Sequence, residues 1–337
     1  MTRIGIDARC GRHISVGMRT YIEEVSARLP RVAPEFDYRI YDDGENVDAF
    51  EQLTLPWHMY RDGVAAAHYM SQYIPLLGPR RFLFTIHDLI HLRYRELHKP
   101  TIGPYYRFVV RPAARRAARI ITSDSRTVTD LVELLGADPA KIRVIPLAPR
   151  ERFFVQASPY RGARPYLLYV GNHRAHKDVP TLLRAWSALP ARYEVDLYLT
   201  GPDDFGGELQ RISSDRRSAL ALGTVDDDAL ASYYGGAVAL VHPSLLEGFG
   251  LPFVEAMAQG APVIATTTSV PDPVATAALT FEPRDVEALR AQIVRMLDDQ
   301  ALRTDLVERG RAAARALSWD RTARETAAVY REVVAER

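Results

Sequence analysis

Short apolar runs recur along the chain with room for one helix between successive runs. In the first half, Arg3–Asp7, Tyr38–Tyr41, Arg81–Thr85, Arg119–Thr122 and Ile142–Pro146 read as strands. In the second half, Tyr166–Val170, Val195–Thr200, Ala219–Leu222, Ala237–Val241 and Pro262–Ala265 do the same. Between them, apolar residues at helical spacing predict helices over Met18–Leu29, Tyr105–Ala118, Thr127–Leu135, Val179–Leu189, Gly206–Ser213 and Asp227–Gly235. Asp285–Asp298 and Asp299–Ala316 continue the helical pattern, and Asp320–Glu336 is amphipathic, with Ser318 placed to cap it. The alternation of these strands with helices predicts α/β, doubly wound parallel sheets.

The alternation pauses once, at Gln156–Pro165, a stretch rich in Pro, Ser, Gly and Arg that reads as an interdomain linker. A chain of 337 residues is long for one core, and two domains of about 150 residues each are the natural division. The expected boundaries are 1–157 for a first Rossmann-like domain and 158–317 for a second.

Composition narrows the function. With 43 basic and 42 acidic residues the net charge is +1, so no charge bias points to nucleic acid. The single cysteine, Cys10, excludes a disulfide framework and favours a reducing, cytoplasmic setting. Met1–Gly5 leads directly into a strand without the apolar stretch of a signal peptide. No apolar run reaches the length of about 20 residues that a membrane span needs. A peripheral position at the inner face of a membrane stays open.

One stretch carries more chemistry than any other: Ser244-Leu-Leu-Glu-Gly-Phe-Gly-Leu-Pro-Phe-Val-Glu-Ala-Met-Ala-Gln-Gly-Ala-Pro-Val-Ile264. It predicts a strand, a glycine-containing loop, a helix entered at Pro252 and left at Gly260, and a second strand. The loop opens on a helix N-terminus, where free N–H groups and the positive dipole end favour an anion. Glu247 and Glu255 flank that anion site. A carboxylate has no use for a phosphate but accepts two hydrogen bonds from a vicinal diol, as found in sugar and ribose. Phosphate together with two diols describes a nucleotide sugar.

This string resembles the donor motif of retaining glycosyltransferases of family 4, which have the GT-B fold of two Rossmann-like domains facing across a cleft. Glu247 and Glu255 match its Glu-x7-Glu spacing in register. The resemblance implies a nucleotide-diphosphate sugar donor, GDP- or UDP-linked with a slight preference for GDP-mannose, and a glycan, lipid-linked or small-molecule acceptor. No cofactor and no metal is expected. It assigns Gly248, Phe249, Gly250 and Leu251 to the donor phosphates, and Glu255 to the ribose. Gly171 and Asn172 open the loop Gly-Asn-His-Arg-Ala-His-Lys, in which Lys177 matches the family's second basic residue. The family's first, an Arg directly after the glycine, is replaced by Asn172. Arg174 stands in for it or is a solvated loop residue, as His176 is in the ordinary reading. His87, in Thr-Ile-His-Asp-Leu, resembles the histidine that faces the donor sugar; the bland alternative is a loop histidine, with Asp88 capping. Gly17 resembles the glycine of the first loop, Gly11–Gly17, or serves an ordinary turn. Thr224 and Val225 match the loop that holds the base through its backbone. The resemblance also implies that 318–337 returns to the first domain.

Arg107, Arg111, Arg115 and Arg119 recur every four residues. On a helix they would share one side, read as a solvated face or as contact with an anionic membrane or lipid phosphate. His91, His68 and His98 have weaker claims to function, and no pair has metal-ligand spacing with supporting acids. The competing readings are a GT-B nucleotide-sugar epimerase or phosphorylase, and a non-catalytic nucleotide-sugar-binding protein. A nicotinamide-dependent dehydrogenase is disfavoured, because the first strand is not followed by Gly-x-Gly-x-x-Gly.

Overall fold

A computed structural model of the chain describes residues 1–11, 16–43, 51–75, 77–97 and 102–336, residue 51 in its backbone alone. The chain divides into two compact units, Met1–Leu147 with Ser318–Arg337, and Ala148–Leu317.

The first unit holds strands β1 (Thr2–Asp7), β2 (Phe36–Tyr41), β3 (Ala66–Tyr69), β4 (Phe82–Thr85), β5 (Arg119–Thr122) and β6 (Ile142–Val144). All pair in parallel, in the order β2-β1-β3-β4-β5-β6. Its helices are α1 (Val16–Val32), α2 (Glu51–Arg61), α3 (Ile90–Arg93), α4 (Ile102–Tyr105), α5 (Arg111–Arg116) and α6 (Arg126–Leu135). The second unit holds β7 (Tyr166–Tyr169), α7 (Val179–Ser187), β8 (Asp196–Leu199), α8 (Glu208–Ile212), β9 (Ala219–Ala221), α9 (Asp227–Gly236) and β10 (Ala239–His242). It continues with α10 (Leu251–Gln259), β11 (Val263–Thr266), β12 (Ala278–Phe281), α11 (Val286–Asp298) and α12 (Gln300–Arg315), while α13 (Trp319–Ala335) belongs to the first unit. Its sheet is also parallel, in the order β12-β11-β10-β7-β8-β9.

Every residue of β3, β4, β7, β8, β10 and β11 is buried, which is why these strands read as apolar runs rather than alternating ones. Phe84, Val110, Ile120 and Leu131 belong to the first core, and Leu167, Trp186, Leu197 and Ile264 to the second.

Several expectations are corrected. The chain passes from the first unit to the second at 147/148, not 157/158. The segment 156–165 is not a free linker, because its polar groups are satisfied within the second unit. Gln156 donates to the Ala258 carbonyl at 3.0 Å, Ala157 N–H to Gln259 Oε1 at 3.1 Å, and Tyr160 N–H to the Ser232 carbonyl at 2.9 Å. The helix expected over 105–118 is broken: Tyr106–Val110 forms a π-helical turn between α4 and α5. Pro112 lacks the N–H that would reach back to the Phe108 carbonyl, and the turn ahead of it widens. Arg119 therefore opens β5 rather than sharing a helix side with Arg107, Arg111 and Arg115. Gly17 lies in the first turn of α1, not in a loop. Residues 12–15 of the expected loop, and His98, lie outside the described residues. Strands β3 and β12 and helix α2 went unanticipated.

Candidate functional site

In the second sheet, chain order runs outward from β7 through β8 to β9 on one side and from β10 through β11 to β12 on the other. The direction reverses between β7 and β10, and in an open parallel sheet ligands gather outside the carboxyl ends of the strands at such a point. Two loops leave the sheet here, one after each of these strands, and they are fastened together: Leu245 N–H donates to the His176 carbonyl at 2.8 Å. The far side of the motif loop is held by β11 and the residues after it, through Thr266 Oγ1 to the Ser244 carbonyl at 2.5 Å and Thr268 Oγ1 to the Leu245 carbonyl at 2.7 Å.

Glycine is required at two turns of these loops. Gly250 caps α10 with φ +75°, and a Cβ there would stand 2.4 Å from the Phe253 ring. Gly171 has φ +155°, and a Cβ would meet Tyr169 Oη at 3.0 Å and His242 Cε1 at 3.6 Å. Both leave the backbone open to close approach by a ligand.

These loops bring two side chains, one of them 70 residues away in sequence, to one carboxylate oxygen of Glu247. Lys177 Nζ donates to Glu247 Oε1 at 2.6 Å, and His242 Nε2 donates to the same oxygen at 2.9 Å. Lys177 and Glu247 are 13% and 11% exposed, and the His242 side chain 1%. Burial alone would raise the Glu247 carboxyl, but the Lys177 ammonium and the His242 N–H overcome it and hold it well below the ordinary range. Burial lowers the His242 pKa, with the Glu247 hydrogen bond opposing, so the ring is neutral, with its proton on Nε2. Its Nδ1 is buried without a partner. The ring stacks on Tyr169 with centroids 5.4 Å apart. His242, Tyr169 and Ser244 were missed by sequence reasoning; the signal was an apolar strand ending on a polar residue just before the motif.

Glu255 lies inside α10, 6% exposed, and Tyr234 Oη of α9 donates to its Oε2 at 3.4 Å. Burial pushes its carboxyl up to about 7; Arg150 opposes the shift and Asp227 adds to it. Arg150 is itself held by Asp227 at 2.6 Å. The two acids of the motif are thus poised differently, Glu247 ionised against a cation and Glu255 near neutrality. Gly248, Phe249, Gly250 and Leu251 are buried in the turn and first residue of α10.

Arg174 is exposed, with no side-chain partner among the described residues, and Asn172 Oδ1 accepts from its backbone N–H at 3.2 Å. His176 is buried rather than solvated. Asp178 follows Lys177 at φ 48°, a left-handed conformation unusual for a residue with a Cβ. Thr224 is exposed and Val225 half-buried, after the edge strand β9.

In the first unit, His87 lies two residues beyond β4. Its Nδ1 is 3.1 Å from Ser123 Oγ, its ring meets Tyr21 edge-on at 4.6 Å, and its Nε2 is buried without a partner. Burial lowers its pKa to about 4, so the ring is neutral and can hydrogen-bond a hydroxyl through Nε2. Asp88 accepts from Ile90 N–H at 3.1 Å, but the N-cap position of α3 is Leu89, so Asp88 bridges the turn before the helix rather than capping it. Gly17 is exposed at the start of α1, where backbone N–H groups have no helical partner. Among the described residues, no cluster of His, Cys, Asp and Glu could hold a metal ion, and no helix is long and apolar enough to cross a membrane.

Two doubly wound parallel units, the second carrying a glycine-gated helix N-terminus at its switch point, define the GT-B class. Residues 47–148 match the model of Glycosyltransferase Family 4, and residues 164–299 that of Glycosyl transferases group 1. The chain is 30% identical to O-antigen chain mannosyltransferase B of Escherichia coli over 74% of its length and 70% of that protein. It is 29% identical to the MMP alpha-(1->4)-mannosyltransferase of Mycolicibacterium hassiacum, over 72% of this chain and 61% of that one. Among solved structures, Anabaena HepE in complex with UDP-glucose superposes with a TM-score of 0.75 over 98% of this chain and all of that one, at 16% identity. The chain belongs to the family 4 glycosyltransferases.

Proposed function

We propose that the chain moves a hexose, mannose by preference, from a nucleotide-diphosphate sugar to a glycan, lipid-linked or small-molecule acceptor, with retention of anomeric configuration. The observation that supports it best is the Lys177–Glu247–His242 group at the switch point, next to the N-terminus of α10. The names of both curated relatives favour mannose. The UDP-glucose complex of a structural neighbour favours a nucleotide sugar as donor.

In this reading Lys177 keeps two N–H donors for the leaving diphosphate after serving Glu247. Arg174, exposed and free of a carboxylate, supplies a second cation with a fork suited to phosphate. The backbone N–H groups over Gly248–Leu251 complete the anion site. Glu255 accepts from the ribose diol, Glu247 from the donor sugar, and Thr224 and Val225 hold the base through their backbone. Gly171 and Asn172 border the diphosphate. His87 and Gly17 act from the first unit on the donor sugar and its phosphate. Catalysis is then positioning and charge stabilisation of the departing diphosphate, which takes the acceptor proton on the face it leaves.

The test is incubation with GDP-mannose and UDP-glucose, with and without a panel of glycan and lipid-linked acceptors. Transfer that requires acceptor and retains the anomeric configuration supports the proposal. Conversion of donor alone supports an epimerase, sugar release driven by inorganic phosphate a phosphorylase, and binding without turnover a non-catalytic protein.

A further inference from the structure

A cavity of about 330 Å³ opens in the first unit between the α3 region, the π-helical turn and α6. Leu92, Leu134 and Leu135 give it an apolar floor, and Arg95, Arg107 and Arg111 are the charged residues of its wall. No acid lines it. None of these three arginines has a carboxylate partner among the described residues, and the buried Nε of Arg111 has no acceptor.

The contrast with neighbouring arginines makes this informative. Arg93 pairs with Asp130 and Glu133, Arg126 with Asp124, and Arg119 with Glu332 and Glu336. Arg95, Arg107 and Arg111, which converge on one cavity, have no such acid among the described residues. Like charges brought together beside an apolar floor repel one another unless an anion is shared between them. Phe108 lines it with 65% of its surface exposed, and the Arg107 guanidinium lies over its ring at 5.4 Å. Phe108 lies in the π-helical turn and Arg111 directly after it, and such turns are frequent at functional sites.

We propose that this cavity binds the phosphate group of an anionic amphiphile, with Arg95, Arg107 and Arg111 as its ligands and Phe108 against its apolar part. Planar guanidinium groups match phosphate oxygens in pairs, and the Phe108 ring is exposed. The site lies wholly within the first unit and is independent of the donor residues.

The experiment is calorimetric titration of the full chain, without sugar donor, against dihexanoylphosphatidic acid, its phosphate-free analogue dihexanoylglycerol, and inorganic phosphate. The phosphatidic acid should bind one to one and dihexanoylglycerol should not. Arg95→Gln/Arg107→Gln/Arg111→Gln should weaken binding about 100-fold or more, since each charge-assisted contact is worth about tenfold. Arg115→Gln removes a charge outside the cavity and should leave the affinity nearly unchanged. Phe108→Ala should weaken the phosphatidic acid while sparing inorganic phosphate, which identifies a lipid-type ligand. If inorganic phosphate binds as well as the lipid and Phe108→Ala changes neither, the ligand is a free phosphate. Should the triple variant melt early, Arg107→Gln alone, on the exposed wall, must show about a tenfold loss. Absence of binding by both phosphate probes, retained binding in a folded arginine variant, or an equal loss in Arg115→Gln overturns the proposal.

Discussion

Lys177 brings one positive charge to the motif loop and already spends one donor on Glu247. Lys177→Ala therefore has two effects. It should lower kcat by about 100-fold through loss of a preorganised charge. It should also lower stability by about 3–5 kcal/mol, because Glu247 stays buried without its cation. Lys177→Met/Glu247→Gln removes both charges and should recover the melting temperature but not the turnover. Near-native turnover in either variant would remove Lys177 from catalysis. Glu255 yields a different signature. Its folded pKa of about 7 lies above the ordinary carboxyl value, so the neutral form is favoured in the folded state and stability is lost as pH rises through 7. Ionisation over that range also creates the stronger diol acceptor, so the donor KM should fall as pH rises. Glu255→Gln, which imitates the neutral carboxyl, should raise the melting temperature at pH 8. It should also flatten the KM profile at a level about tenfold or more above native; an unchanged donor KM would exclude the ribose role. Both acids and Lys177 could be singled out from the sequence because each lies in a distinctive local stretch, 244–264 or 171–177. His242 was not, since its role exists only once the loop folds Glu247 back to 2.9 Å from its ring.

Helix α13 is where sequence and packing agree most closely. Ser318 Oγ accepts from Arg321 N–H at 3.1 Å. Trp319, Thr322, Ala323, Thr326, Val329, Tyr330 and Val333, the stripe read from periodicity, are all buried. Thr322 Oγ1 donates to the Pro146 carbonyl at 2.7 Å, and Glu332 pairs with Arg119 and Arg143. The helix also completes a buried polar chain. Tyr330 Oη is 2.7 Å from His68 Nδ1, His68 Nε2 is 2.8 Å from Thr85 Oγ1, and Tyr21 Oη reaches the same hydroxyl at 2.9 Å. Tyr330→Phe keeps the ring but orphans His68 Nδ1, and should cost about 1–3 kcal/mol. Burial depresses the His68 pKa to about 3. Below about pH 6.5 the unfolded chain takes up a proton that folded His68 refuses, which should cost the first unit about 2 kcal/mol between pH 8 and pH 5, and His87, held at about 4, should cost about as much again. Denaturant titrations at the two pH values check both statements; a flat response would place His68 in contact with water. Strand β3, which carries His68, was illegible for the same reason. Ala-Ala-His-Tyr has no β-branched residue and a polar centre, and it becomes a strand through its pairing with β1 and β4.

At the scale of the whole molecule, the chain leaves the first unit at 147/148 and rejoins it at 317/318. Removing 318–337 takes away the cover of α1, β3 and β5 while leaving Lys177, Glu247 and Glu255 in an intact second unit. The shortened chain should keep a cooperative transition from the second unit and its affinity for nucleoside diphosphate. It should lose the first unit's transition and all sugar transfer. Unchanged calorimetric unfolding would contradict this assignment of α13. The division was legible as two rounds of strand and helix, but its boundary was not: polar, proline-rich residues at 156–165 look like a tether and turn out to be bonded to α9, Ala258 and Gln259. The same interrupted unit has a consequence during synthesis. The second unit is one continuous stretch and can fold as it leaves the ribosome. The first must wait for α13, made after some 190 further residues, or about 10–40 s at ordinary elongation rates. For that interval the apolar faces of α1 and β3 are without their cover, a window in which chaperones or proteases find a nascent chain whose first half is complete in sequence but not in structure.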